Sequence, residues 1–421
     1  MGPRALRSAA AAVGLLAALA AGVPPAAAAG GVPASAPWVD AEQQCTPDQR
    51  LLVSSPSYLI ARLGLEEAWS LSRGAGVTVA VVDSGVDGGN PHLQDALVPG
   101  FTSFGDGSAR ADADVAAHGT AVAGLIAARR VEGSGVVGIA PEARIMPVRA
   151  FESAPGSGAS RELVQPSAEA LVSGIRWAAD HGAQIINVSL SDEGSATAYR
   201  DAVDHARARG ALVVASAGNR RTADADSPDP VRFLPGELPG ALAVAAVLED
   251  GRWDADSSYP GEHVDIAAPG QSMPSAHISG GDCVFNVDSA SSSYATAVVS
   301  GAAALVAARF PDESPDQWAF RLTQSAMRVA PAQRGDTVGW GEVRPAAALA
   351  LIDDGSLPGP PSPGHDAQTT EAPAARTIDV DPAADPLAPA RAIIGWAFGA
   401  GATISVILLL LSRGRSRRSH D

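Results

Sequence analysis

The 421-residue chain contains no lysine, so all 30 of its basic residues are arginines. That absence removes every mechanism built on a lysine, including the phosphate-binding lysine of a P-loop and the Schiff-base amine. Positive charge is scarce overall: 46 acidic residues leave a formal net charge of −16, which argues against nucleic acid as a partner. Cysteine is nearly absent. Cys45 and Cys283 are the two present, both in a region that the chain ends mark as exported, where disulfides persist. An even pair in that setting predicts one bridge.

The ends carry the targeting information. Residues 1–29 have Arg4 and Arg7, an apolar Ala- and Leu-rich stretch, and four alanines before Gly30, the layout of a cleaved secretory signal. From Ala392 to Ser412 run 21 residues without a charge, enough to cover about 30 Å as a helix. Arg413, Arg415, Arg417 and Arg418 follow at once, so the positive-inside rule predicts a single-pass protein with a cytoplasmic C-terminus and an extracytoplasmic main domain. The expected organisation is a signal peptide at 1–29, an N-terminal extension at 30–75, a main domain at 76–352, a Pro-rich tether at 353–390, a transmembrane helix at 391–412 and a basic tail at 413–421. The stretch 152–167, rich in Gly, Pro and Ser, reads as an exposed loop.

The chemistry lies in three segments. VAVVDSGVD at 79–87 places Asp83 at the end of an apolar β-type run, HGTAVAG at 118–124 places His118 at the start of a small-residue helix, and SSSYATAVVSG at 291–301 places Ser293 at the start of another. A serine hydroxyl needs a base within reach to take its proton, and that base needs a buried carboxylate to fix its tautomer. Singly, each has an ordinary explanation as a turn, an exposed helix terminus or an N-cap. Together, at strand-to-loop or loop-to-helix junctions and in the order Asp, His, Ser, they predict a catalytic triad. His92, His181, His205, His263, His277 and His365 lack such a setting and are expected on the surface or in loops.

With this order and these motifs the chain resembles the subtilisin-like serine proteases. The resemblance implies that Asn219, in LVVASAGN at 212–219, supplies an oxyanion donor together with the backbone N–H of Ser293. It also implies that Ser189, Leu190 and Ser191 line the substrate, with Ser191 where the family has Gly. Around the nucleophile, Ser291 stands for the family's Gly, Ser292 for Thr and Ala297 for Pro. If the backbone at 291 needs positive φ, a Cβ there costs roughly 1 kcal/mol. RLGLEEAWSLSRGAGVTVAVVDSGVD at 62–87, SYATAVVSGAAALVAARFPD at 293–312 and VGWGEVRPAAAL at 338–349 resemble the mycosins, membrane-anchored proteases of type VII secretion systems. This implies a protein or peptide substrate and secretion-system membrane components as partners. The alternative it carries is a structural component of a secretion complex with weak catalysis. The chemistry requires no metal or organic cofactor, and structural calcium is not legible.

Apolar runs at 77–82, 144–148, 184–188, 211–215 and 241–247 alternate with helical patterns at 119–128, 166–180, 198–209, 295–308 and 315–326. Such alternation predicts βαβ crossovers, an α/β fold with a mainly parallel sheet covered by helices on both faces. The resemblance makes this a subtilisin-like three-layer domain.

Overall fold

A computed structural model describes residues 45–105, 109–153, 163–192, 194–220, 232–255, 257–365 and 387–417. The expected signal peptide, the first part of the extension, the middle of the 152–167 loop, most of the tether and the end of the basic tail lie outside them.

Strand β1 (Thr78–Asp83) is TVAVVD, buried at every position. β-Branched residues with no polar alternation suit a strand covered on both faces. It sits inside a seven-stranded, all-parallel sheet with β2 (Phe101–Thr102), β3 (Arg144–Arg149), β4 (Ile185–Val188), β5 (Leu212–Ser216), β6 (Ala241–Val247) and β7 (Ile266–Pro269), in the order β2-β3-β1-β4-β5-β6-β7. The chain winds to one side of β1 and then crosses to the other. The gap between β1 and β4 is therefore a topological switch point, where side chains at the carboxyl ends of the strands meet a crevice.

Residue parity divides the core. Val79 and Val81 face one helical layer, formed by α1 (Tyr58–Arg62), α2 (Leu65–Leu71), α3 (His118–Ala127), α6 (Ser292–Arg309), α7 (Pro315–Gln324) and α8 (Pro345–Ala350). Ala80 and Val82 face α4 (Ala168–Asp180) and α5 (Ala196–Ala208). α4 and α5 are amphipathic, whereas α3 and α6 are small-residue helices buried nearly all round. Helix α7 begins with a capping box at Ser314 and Gln317 and a proline in its first turn.

Five expected strands and five expected helices are present, with ends displaced by at most a few residues. The sequence reading did not anticipate β2, β7, the short helices α1, α2 and α8, or the antiparallel hairpin β8 (Met273–His277) and β9 (Gly281–Phe285). These are short, and several lack the period that marks longer elements.

The expected bridge is present: Cys45 is bonded to Cys283 in β9, with Cα atoms 5.7 Å apart. Beside it Asp282 accepts the N–H of Val53 at 2.9 Å and the Ser134 hydroxyl at 2.6 Å. Its other oxygen lies 2.8 Å from His92 Nε2. His92 is buried, with Nδ1 2.6 Å from the Arg129 carbonyl, and His277 is buried at the end of β8. His92 lies in a turn but is buried against the hairpin, and His277, expected on the surface or in a loop, is a buried strand residue of that hairpin, which the sequence did not reveal.

The first part of the expected tether, 353–365, follows the domain surface. The Pro358 carbonyl accepts from Gln324 at 3.1 Å, and Ser362 donates to Asp353 at 2.5 Å. Residues 368–421 form a separate unit in which helix α9 (Ala388–Arg417) contains a span at Ala390–Leu410 long and apolar enough to cross a membrane.

Candidate active site

β1 ends on Asp83, which is fully buried. Its carboxylate accepts the N–H of Ser84 at 2.7 Å and faces His118 Nδ1 at 2.8 and 3.0 Å through its two oxygens. A carboxylate only accepts, so Nδ1 carries the proton and Nε2 is left as the basic nitrogen. The glycine of the HGT motif is required by this contact. A Cβ on Gly119 would fall 2.1 Å from the Gly85 carbonyl and 3.2 Å from Asp83 Oδ1.

Helix α3 has Ala117 at its N-cap with φ +62° and no side-chain cap of its own. Asp114 supplies the cap from outside. One oxygen accepts the N–H groups of Ala116 and Ala117 at 2.9 and 3.1 Å and the Ser84 hydroxyl at 2.9 Å; the other accepts the N–H and hydroxyl of Thr120 at 3.0 and 2.7 Å. Ser84 in turn accepts the N–H of Gly119 at 3.0 Å. The neighbours of Asp83 and the neighbours of His118 are thereby tied together on one carboxyl group. Burial pushes the Asp114 carboxyl above the ordinary range. Burial also acts to lower the His118 pKa, but the charge and hydrogen bond of Asp83 and the charge of Asp114 outweigh it, and the net shift is upward.

Ser293 lies in the first turn of α6, nearly buried. Its carbonyl accepts the Ser189 hydroxyl at 2.8 Å; Ser189 accepts from Asn187 Nδ2 at 2.9 Å, and Asn187 Oδ1 accepts the Ser300 hydroxyl at 2.9 Å. The end of β4 thus grips α6 at two levels. The ring of Tyr294 stands 5.7 Å from the His118 imidazole, centre to centre, which brings the start of α6 to the Asp83–His118 pair. Burial and the charges of Asp83 and Asp114 raise the Tyr294 phenol.

α6 is also capped from outside. Ser291 makes no side-chain cap; instead Asn219 Oδ1 accepts the N–H of Ser292 at 2.8 Å and its hydroxyl at 3.0 Å. Since the Ser292 hydroxyl donates there, the Ser216 hydroxyl, 2.5 Å away, must donate to Ser292, and Gly218 N–H donates to Ser216 at 3.0 Å. Ser291 has φ −127°, extended backbone open to any residue, so no strain follows from its Cβ. Of the residues expected to line the substrate, Ser189 and Leu190 are buried and Ser191 is partly exposed.

Asp114, Ser84, Asn187 and Ser216 were not singled out from the sequence. A carboxylate four residues before a helix is no ordinary cap, and only the left-handed turn at Ala117 brings it into place. Among the described residues no three His, Cys, Asp or Glu side chains gather into a metal-binding cluster.

Residues 74–341 match the model of the subtilase family, peptidase S8. The chain is 33% identical to mycosin-3 of Mycobacterium tuberculosis over 85% of its own length and 82% of the relative's. It is 31% identical to fervidolysin of Fervidobacterium pennivorans, over 68% of this chain but only 42% of that protein. Among solved structures it is similar to the serine protease MycP1, described as an essential component of the type VII (ESX-1) secretion system, with a TM-score of 0.61, 30% identity, and coverage of 73% of this chain and 91% of that one.

Proposed function

The chain belongs to the subtilase family, and from that membership we propose that it is a membrane-anchored serine endopeptidase with Ser293 as nucleophile, His118 as general base and acid, Asp83 as orienting carboxylate and Asn219 as oxyanion donor. The observation that carries the reading is the pair of buried Asp83 and part-buried His118, held at 2.8 Å beside the helix that starts at Ser292. His118 Nε2 takes the Ser293 proton as Oγ bonds to the peptide carbonyl carbon. Asp83 stabilises the imidazolium that forms. The carbonyl oxygen, now negative, meets Asn219 Nδ2 and the Ser293 N–H at the positive end of α6. His118 then gives its proton to the departing amine, and water reverses the sequence to free the acyl group.

The substrate is a protein or peptide on the outer side of a membrane. Support for the anchor comes from the span at Ala390–Leu410, with the arginines after it directing the C-terminus inward. Association with type VII secretion components is supported by the likeness to MycP1.

Labelling of the protein with a fluorophosphonate tests the assignment. Ser293 should carry the label, and Ser293→Ala should abolish both labelling and peptide cleavage, a loss on the order of 10⁶ in turnover, the size known from a subtilisin. Label at Ser291 or Ser292 would overturn it.

A further inference from the structure

Seven large apolar side chains of the unit that ends at Ala367 are exposed among the described residues, and four of them, Met327, Val329, Ile352 and Leu357, belong to two neighbouring segments. Val329 is fully exposed and Ile352 is 78% exposed. Arg328 joins the segments: its guanidinium donates to the Pro358 carbonyl at 3.4 Å and to the carbonyls of Thr323 and Trp340 at 2.8 and 3.2 Å. Met327 also borders one cavity with Ala347 and Ala350, and Ala350 ends α8 two residues before Ile352. The four side chains therefore share one corner of the domain. Exposed apolar residues gathered in this way mark a contact surface, whereas single ones need no explanation.

The same corner is where the chain leaves the domain. Residues 353–365 form a loop that closes on its own start: Ser362 donates to Asp353 at 2.5 Å, and His365 Nε2 lies 3.1 Å from the Asp353 carbonyl. His365 is thereby held next to Asp353, the neighbour of Ile352. Residues 366–386 alone lie between it and the described part of the chain that holds the span at Ala390–Leu410. A chain of about 21 residues reaches at most about 75 Å, which keeps this corner near the bilayer at an effective concentration on the order of millimolar. A surface too weak to bind lipid from free solution can bind under that condition. Hydrogen bonds from the hydroxyl and N–H of Ser356 hold the exposed Asp354 carboxyl below its ordinary range. It stays charged beside the patch and repels an anionic surface, so the contact that fits is apolar.

We propose that this corner, through Met327, Val329, Ile352 and Leu357, rests in the outer leaflet of the bilayer, with its apolar side chains inserted beneath neutral headgroups, and so fixes one edge of the domain against the membrane. The proposal rests on the membrane-anchored reading given above. Apolar groups that lie at a membrane surface reach the boundary between headgroups and acyl chains, a depth of about 5–10 Å, and each gains there much of what burial in a core would give it. A tether by itself leaves a domain free to turn; the patch gives it one orientation.

The test uses the full-length protein in phosphatidylcholine nanodiscs, with one cysteine at a time introduced and labelled with a nitrobenzoxadiazole dye; the two native cysteines are bridged and take none. In discs that carry doxyl-labelled lipid, dye at Val329→Cys should be quenched and its emission shifted to the blue. Dye at Ile407→Cys, within the α9 span, should be quenched as well, and dye at Val115→Cys, beside Asp114, should keep its fluorescence. Adding Met327→Asp and Ile352→Asp, both at exposed positions where a charge leaves the core intact, should abolish the quenching at 329. Quenching at 407 with none at 329 overturns the docking and leaves the patch to a protein partner. Equal quenching at 329 and 115 overturns the single fixed edge, and quenching at 329 that survives the two aspartates overturns the part given to the patch. No quenching at 407 overturns the membrane anchor and the docking with it.

Discussion

Asn219 accepts the Ser292 N–H through its side-chain oxygen at 2.8 Å. The partner identifies the atom: a backbone N–H needs an acceptor, so the oxygen end of the amide faces the helix and the –NH2 end diverges from it. The same side chain thus caps α6 and, in the proposed mechanism, is the oxyanion donor.

Asn219→Ala should therefore lower kcat by about 10²–10³, the size found for such a donor in a subtilisin, with KM little changed. Steady-state kinetics on a good peptide substrate checks it. A fall confined to KM would assign Asn219 to substrate binding instead.

Acid should inactivate the enzyme through His118. As imidazolium it cannot accept the Ser293 proton, so kcat/KM falls as pH drops through its pKa. That pKa is raised from the ordinary 6.5, and the acid limb should lie above that value. Asp114→Asn removes one of the two charges that hold it up and should move the limb to lower pH, besides reducing the rate. A pH profile of kcat/KM for both proteins measures this; a limb that stays in place would leave Asp114 with a purely structural part.

Cys45 and Cys283 are 238 residues apart. Closing so long a loop contributes up to roughly 5 kcal/mol on the chain-entropy model. The double variant C45S/C283S should unfold at clearly lower temperature, and the segment 45–57 should become the first site of proteolysis, since its remaining ties to the domain are a few hydrogen bonds such as Val53 to Asp282. Thermal melting with timed proteolysis gives both readings.

The sequence reading reached furthest where one residue type at one junction fixes both structure and chemistry. Asp83 ends a run that can only be a buried strand, and it lies where that strand meets the crevice. His118 and Ser293 begin helices whose small residues announce close packing. What stayed hidden depends on residues distant in the chain. Asp114 caps α3 only because Ala117 turns left-handed, Ser189 reaches Ser293 across 104 positions, and His92 is buried by a hairpin that the sequence reading did not find. Ser291 shows the reverse: the Gly-to-Ser difference would bring strain only at positive φ, and the extended φ of −127° does not meet that condition.

Helix α6 carries Ser293 in its first turn and is buried continuously from Ser292 to Ala307. Such a helix leaves an evolving lineage little room to experiment, because any change of size along it is felt by the whole core. Variation that the fold tolerates must then arise outside this pillar, in partly exposed segments such as the one around Ser191, while the helix itself is inherited unaltered.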